Sequence, residues 1–105
     1  MRPITTAFAA VCLLTAAGTA SAAVSDVEYL RANRCRGLAA AELAAIDTAA
    51  LDAFLKAEKR TRSTFVADRG LAEMDKARRE AKTTNAERKA RLTAELTGPC
   101  QVYKG

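Results

Sequence analysis

Over most of the chain, apolar residues recur every three or four positions, which is the spacing of one face of an α-helix. Val27, Leu30 and Leu38 follow this period in the first such segment. The remaining positions are rich in Ala, Glu, Lys and Arg, which favour helix, and no run alternates β-branched and polar residues as a strand would. No proline interrupts residues 23–98. The pattern predicts an all-α fold.

The first predicted helix covers about residues 25–45. Its start is indicated by Ser25 and, three positions later, Glu28. This is the spacing of a capping box, in which each side chain accepts a hydrogen bond from the other residue's backbone N–H. Gly37 weakens the segment, because glycine costs a helix about 1 kcal/mol relative to alanine. We expect the helix to continue through Gly37 with a kink.

The second predicted helix covers about residues 48–82 and contains no obligatory break. Asp47 or Thr48 is a suitable N-cap, and Asp52 suits the positive end of the helix dipole. Gly70 is the weakest position within it. A helix of this length measures about 50 Å, which exceeds the average for globular proteins.

The third predicted helix covers about residues 85–97. Thr84 or Asn85 is its expected N-cap. Gly98 and Pro99 end it, because glycine is the common residue after a helix and proline cannot continue one. The sequence therefore predicts a single helical domain over residues 23–105.

Two cysteines of this domain, Cys35 and Cys100, form its one possible internal disulfide. If the first helix folds back on the second, a rise of 1.5 Å per residue places Cys35 beside about residues 58–60. The third helix, folded back from the other end, places Cys100 beside about residues 65–68. The predicted architecture is one long central helix with a shorter helix folded back on each half, and a disulfide that joins the two shorter helices.

The N-terminal residues 1–22 have the organisation of a cleaved signal peptide. Arg2 provides the positive region, an uncharged apolar run follows, and Ala20-Ser21-Ala22 has the small-x-small pattern of a cleavage site. A membrane anchor is the alternative, but the strongly apolar part is too short to span about 30 Å of hydrocarbon. A lipoprotein is a further alternative at Cys12, where Val11 replaces the expected small residue. We expect a periplasmic or secreted protein without a transmembrane segment after cleavage.

The net charge of +5 falls to +4 when the signal peptide is removed, which is a mild basic bias. The basic residues are not interleaved with aromatic ones and form no recognisable module, so nucleic acid is not an expected partner. Arg88, Lys89 and Arg91 on the third helix are candidates to contact lipid headgroups or acidic polymers. The alternative is that they simply keep the helix surface hydrated.

The chain contains no histidine, which is the usual general acid or base at neutral pH and the commonest metal ligand. Carboxylate chemistry is the alternative, but Asp and Glu are scattered along polar helix faces beside Lys or Arg partners. We therefore expect no catalytic residue, no cofactor and no metal. A thiol-redox role is the alternative at Cys35, because the neighbouring Arg31, Arg34 and Arg36 would favour its thiolate if it were free. No C-x-x-C motif supports that role, and a structural disulfide to Cys100 is the favoured interpretation.

Three charged residues fall within the apolar stripe of the second predicted helix, namely Glu58, Arg62 and Arg69. They are a possible polar cleft at the place where the two shorter helices end. The alternative is that the stripe is narrow and that these side chains extend along its edge into solvent.

These observations favour an exported, non-enzymatic protein of a bacterial envelope that acts as a binding or structural module. Its expected partner is an envelope protein or an acidic polymer. An envelope-stress holdase chaperone is the first alternative, and a thiol-redox protein is a less favoured one.

Overall fold

A computed structural model describes residues 24–103 of the chain. The predicted signal peptide lies outside these residues. The described part is all-α and contains no strand. Its elements are α1 (Asp26–Ala39), α2 (Ala49–Lys59), α3 (Thr64–Glu80), α4 (Ala86–Thr97) and a short 3-10 helix (Pro99–Tyr103).

Helix α1 begins at the predicted capping box. The Ser25 side chain accepts a hydrogen bond from the Glu28 backbone N–H at 3.1 Å, and Glu28 accepts one in return from the Ser25 backbone. The helix continues through Gly37, as expected, but it ends at Ala39 and not near residue 45. The chain then turns at Glu42, whose φ of 56° lies in the left-handed region. The turn lets the following apolar residues pack back against the core.

The single long helix predicted over residues 48–82 is two helices, α2 and α3. Helix α2 ends at Lys59, and Ser63 caps α3 by accepting a hydrogen bond from the Val66 backbone N–H at 3.2 Å. Thr61 donates its hydroxyl to the Glu58 carbonyl at 2.9 Å. Serine and threonine side chains compete with the helical backbone for its hydrogen bonds, and this competition accounts for the break.

Helix α4 agrees with the sequence prediction at both ends. Asn85 is its N-cap and accepts a hydrogen bond from the Arg88 backbone N–H at 2.8 Å. The helix ends at Thr97, immediately before Gly98 and Pro99. The 3-10 helix that follows turns Cys100 inward, so that this cysteine is buried.

The closest helix contact joins α1 to α3, and the two helices run in the same direction. Gly70 lies beside Asn33, whereas Gly37, further along α1, lies beside Met74 and Ala77 further along α3. A Cβ atom on Gly37 would lie 2.2 Å from the Met74 carbonyl oxygen. Helix α1 is antiparallel to α2, as predicted, because Arg36 near the end of α1 pairs with Asp52 near the start of α2, and Asp26 at the start of α1 pairs with Arg62 just after α2. The prediction fails for α3, because the break before Ser63 reverses the chain once more.

Helices α2 and α4 complete the fold around α1. Helix α2 contacts α1 and the 3-10 helix, and α4 contacts the same two elements. The buried apolar residues form one cluster, which contains Tyr29, Ala32, Cys35, Leu38, Leu51, Leu55, Ala77, Ala81, Leu92, Leu96 and Cys100. Helix α1, and not a long second helix, is thus the central element.

Candidate functional site

Cys35 and Cys100 form the predicted disulfide, with an S–S distance of 2.02 Å and a Cα–Cα distance of 5.6 Å. Both residues are buried, at 1% and 5% exposure. The bond lies between α1 and the 3-10 helix, and it fixes the C-terminal end of α4 against the core. Such burial favours a structural bond, because thiol–disulfide exchange requires access to a sulfur atom.

Two of the three predicted cleft residues, Glu58 and Arg62, lie together at the junction of α2 and α3. Arg62 donates to the Glu58 carboxylate at 2.6 Å, to Asp26 at 2.7 Å and to the Val24 carbonyl at 2.8 Å. Its guanidinium also lies over the Tyr29 ring, 5.4 Å from the ring centre. The hydrogen bond to Glu58, followed by that to Asp26, raises the pKa of Arg62.

These contacts give Arg62 a clear role in joining elements. Its side chain is only 9% exposed, and it connects the start of α1 to the end of α2. Its Nε atom is buried without a hydrogen-bond partner among residues 24–103. Arg69 is exposed on α3, and no ion pair within the described chain joins it to Glu58. The geometry brings together two of the three residues.

A second ion cluster, which the sequence analysis did not single out, is centred on Arg34 of α1. Its Nε and Nη2 atoms donate to the two carboxylate oxygens of Glu95 at 2.7 and 2.9 Å, and Nη1 donates to Glu80 at 2.9 Å. The pKa of Arg34 is raised, principally by the hydrogen bond to Glu95. Arg34 therefore connects α1 to the end of α3 and to α4. The separations of 46 and 61 residues leave no local sequence signal for this cluster.

The exposed positive charge of the molecule is concentrated where α3 turns into α4. We call residues 76–91 the basic turn. Seven cations against two acids give this segment a net charge of +5, whereas the remaining described residues carry eight cations against ten acids, a net charge of −2. All seven cations are exposed, namely Lys76, Arg78, Arg79, Lys82, Arg88, Lys89 and Arg91.

The two acids of the basic turn compensate little of this charge. Glu80 already accepts a hydrogen bond from Arg34 and is about one-third exposed. Glu87 lies in the first turn of α4, where its negative charge interacts favourably with the positive end of the helix dipole. Arg78 forms a long ion pair of 3.4 Å with Asp75, and both side chains are largely exposed. Exposed pairs of this kind are worth about 1 kcal/mol or less, so Arg78 remains available to a partner.

A shallow apolar groove lies over the disulfide, which forms part of its lining. It has a volume of about 530 Å³, and Val27, Leu30 and Pro99 contribute to its wall. Val27 is 63% exposed. Four charged residues also line it, namely Arg31, Arg34, Glu73 and Glu95. The groove adds an apolar surface to a molecule whose other candidate surface is charged.

The 3-10 helix packs against its neighbours through an aromatic residue, Tyr103. The rings of Tyr103 and Phe54 lie 5.0 Å apart, and the Tyr103 hydroxyl faces the Glu28 carbonyl at 3.4 Å. Burial raises the pKa of Tyr103. Val102 instead is 75% exposed, whereas Tyr103 packs the 3-10 helix against α2.

Within residues 24–103, no three Cys, Asp or Glu side chains are grouped as metal ligands would be. No helix in this part of the chain is both long enough and apolar enough to cross a bilayer. The disulfide is compatible with an oxidising compartment outside the cytoplasm. Comparison with protein-family models, with curated proteins and with solved structures gave no match.

Proposed function

We propose that the chain is an exported, non-enzymatic binding module of a bacterial envelope, periplasmic or secreted, that attaches to an acidic partner through its basic turn. The helices and the disulfide serve to hold this surface in place. The proposed partner is an acidic envelope polymer, or an envelope protein or membrane with an acidic surface.

The observation that carries this proposal is the separation of charge within the folded chain. The whole chain has a net charge of +5, and residues 76–91 carry the same net charge by themselves. A protein that needed charge only for solubility would gain nothing from placing its excess in one segment. A concentrated patch raises the rate of encounter with an acidic partner and orients the encounter.

The rest of the fold holds the basic turn in place at both of its ends. The α3 side is fixed by Gly70 and Ala77, which lie against α1. The α4 side is fixed by the Arg34 ion pairs and by the disulfide that follows the helix. A patch held in this way loses little conformational entropy on binding, and lower entropic cost increases affinity.

The proposal is tested by retention of the purified, oxidised protein on an immobilised polyanion such as dextran sulfate. The variant R88Q/K89Q/R91Q removes three charges from the basic turn, and K56Q/K59Q/R60Q removes three exposed charges from α2. We expect the first variant to elute at much lower salt than the second. Equal elution of the two, or no retention of the unmodified protein, would refute binding through the basic turn.

A holdase chaperone remains the second candidate, and the apolar groove with its exposed Val27 is the observation that favours it. Chaperones of this class act by covering the apolar surfaces of unfolding clients. The test is the aggregation of a reduced or heated client protein, with Val27→Ser as the altered variant. Suppression that the variant loses would support the holdase role, and no suppression over a range of pH would remove it.

A thiol-redox role is a less favoured candidate because both cysteines are buried. The free-thiol content of the native protein in mild reductant tests it. Rapid appearance of two thiols without unfolding would restore this candidate.

A further inference from the structure

The basic turn differs from a surface that inserts into a membrane or reads a nucleic acid. Residues 66–102 contain no aromatic residue. The large apolar residues that are most exposed in the described chain, Val27, Phe65, Leu71 and Val102, all lie outside the basic turn. A partner would therefore meet charge alone, without the stacking platforms that single-stranded nucleic acids require or the apolar face of an inserting helix.

The cations of the basic turn lie within a short distance of the connection between α3 and α4, measured along the helix axes. Residues 76–80 end α3, the connection has five residues, and residues 86–91 begin α4. At 1.5 Å per residue, the α4 part is about 9 Å long. This length is close to the Debye length of about 8 Å at physiological ionic strength. A charged plane that meets the connection between the two helices therefore attracts the cations nearest the connection most strongly, and screening weakens its attraction for those further along each helix.

The net charge of the residues outside the basic turn favours a planar anionic partner over a linear polyanion. The other described residues carry a net charge of −2. An extended polyanion that ran along the helices would leave the basic turn and meet net acidic surface. An anionic plane, in contrast, attracts the basic turn and repels the remainder, so it also fixes the orientation of the molecule.

We propose that the basic turn docks the protein on the surface of a bilayer that contains anionic phospholipids, by contact with headgroup phosphates and without insertion. This inference rests on the proposed function and names the acidic partner. Arginine and lysine side chains near such a surface each contribute about a fivefold gain in binding. Seven exposed cations are thus sufficient for reversible attachment, provided that the ionic strength is moderate.

The inference is tested by co-sedimentation of the oxidised protein with vesicles of phosphatidylglycerol and phosphatidylcholine, and with vesicles of phosphatidylcholine alone. We expect binding to the anionic vesicles only, and release at high salt. The variant R88Q/K89Q/R91Q should bind at least about tenfold more weakly. The matched variant K56Q/K59Q/R60Q has the same net charge and should bind within about twofold of the unmodified protein.

Four results would overturn the inference. Equal weakening by the two variants would mean that binding follows net charge and not the basic turn. Salt-resistant binding would mean that apolar insertion dominates. Retention on dextran sulfate without binding to anionic vesicles would identify a soluble polymer as the partner, so that the proposed function would stand and the membrane would be excluded. Failure of both measurements would refute the proposed function as well.

Discussion

At Gly37 the backbone of α1 comes so close to α3 that a methyl group has no room. The position that a Cβ atom would occupy is 2.2 Å from the Met74 carbonyl oxygen and 2.9 Å from the Ala77 Cβ atom. At Gly70, the nearest atom to such a Cβ is the side-chain nitrogen of Asn33, at 2.6 Å. Backbone cannot move aside as a side-chain end can, so the two glycines differ in what they tolerate.

We predict that Gly37→Ala destabilises the protein by about 2 kcal/mol or more, because the added methyl group forces α1 away from α3. Helix propensity alone predicts the opposite, a gain of about 1 kcal/mol. Urea unfolding followed by circular dichroism measures the difference.

Gly70→Ala is the matched comparison, since it makes the same change on the facing helix. We expect a smaller loss, because the Asn33 side chain can rotate, although it then gives up its hydrogen bond to the Tyr29 carbonyl. A Gly37→Ala protein as stable as the unmodified one would show that the close approach of the two helices is not required.

Residue-level prediction from the sequence succeeded where the signal was local. The Ser25 capping box and the Asn85 cap each depend on residues three positions apart, and both are present. The roles of Arg34 and Arg62 were not predictable in the same way. Their acidic partners on other elements are 36 to 61 residues away, and no spacing rule connects them.

At the scale of the elements, α4 is the α-helix with the fewest apolar residues in the core cluster or packed against it. Its buried residues are Leu92 and Leu96, and the Arg34 ion pairs supply much of the remaining attachment. Helix α3 instead shares a long interface with α1. We therefore expect α4 to open locally before the α1–α3 pair does.

Removing the Arg34 cluster should accelerate this opening. We predict that Arg34→Gln increases amide hydrogen exchange in α4 by about tenfold, while the α1–α3 pair changes less, because two carboxylates lose their common cation. Hydrogen exchange followed by mass spectrometry measures this effect.

Arg36→Gln is the control for that experiment. Arg36 also lies on α1 and forms an ion pair, but its partner Asp52 is half exposed and belongs to α2. The Arg36→Gln variant should leave the rate of amide hydrogen exchange in α4 unchanged. Equal exchange in the two variants would contradict a specific role for Arg34.

The all-α class, the start of the first helix and both ends of the last helix were predictable, but the number of helices and the path of the chain were not. The apolar period over residues 48–82 is continuous, so it indicated a single helix. The segment Thr61–Ser63 contains the two hydroxyl side chains that break it, but no acidic residue follows Ser63 to complete a capping box. Helix α1 is antiparallel to α2, as predicted, but the missed reversal makes it parallel to α3.

For the molecule as a whole, the disulfide compensates for a small core. The sequence separation of 65 residues between its cysteines gives about 4 kcal/mol of stabilisation in the chain-entropy model. The net stability of small domains is of the same order.

We therefore predict that C35S/C100S lowers the melting temperature by roughly 15 °C or more. Replacing both cysteines avoids an unpaired thiol, and the unmodified protein in strong reductant should behave similarly. An unchanged melting temperature would show that helix packing alone holds the fold. The loss of local stability should be greatest in α4, because the disulfide fixes the C-terminal end of this helix.

The disulfide also turns most of the chain into a closed covalent ring. Helices α2, α3 and α4 lie entirely between Cys35 and Cys100, together with every connection that joins them. A protease that cuts once at any of these connections opens the ring but releases no fragment, so the only change in mass is one added water. Helix α4 and the basic turn thus stay tethered to α1 after a cut that would detach them from an unbridged chain.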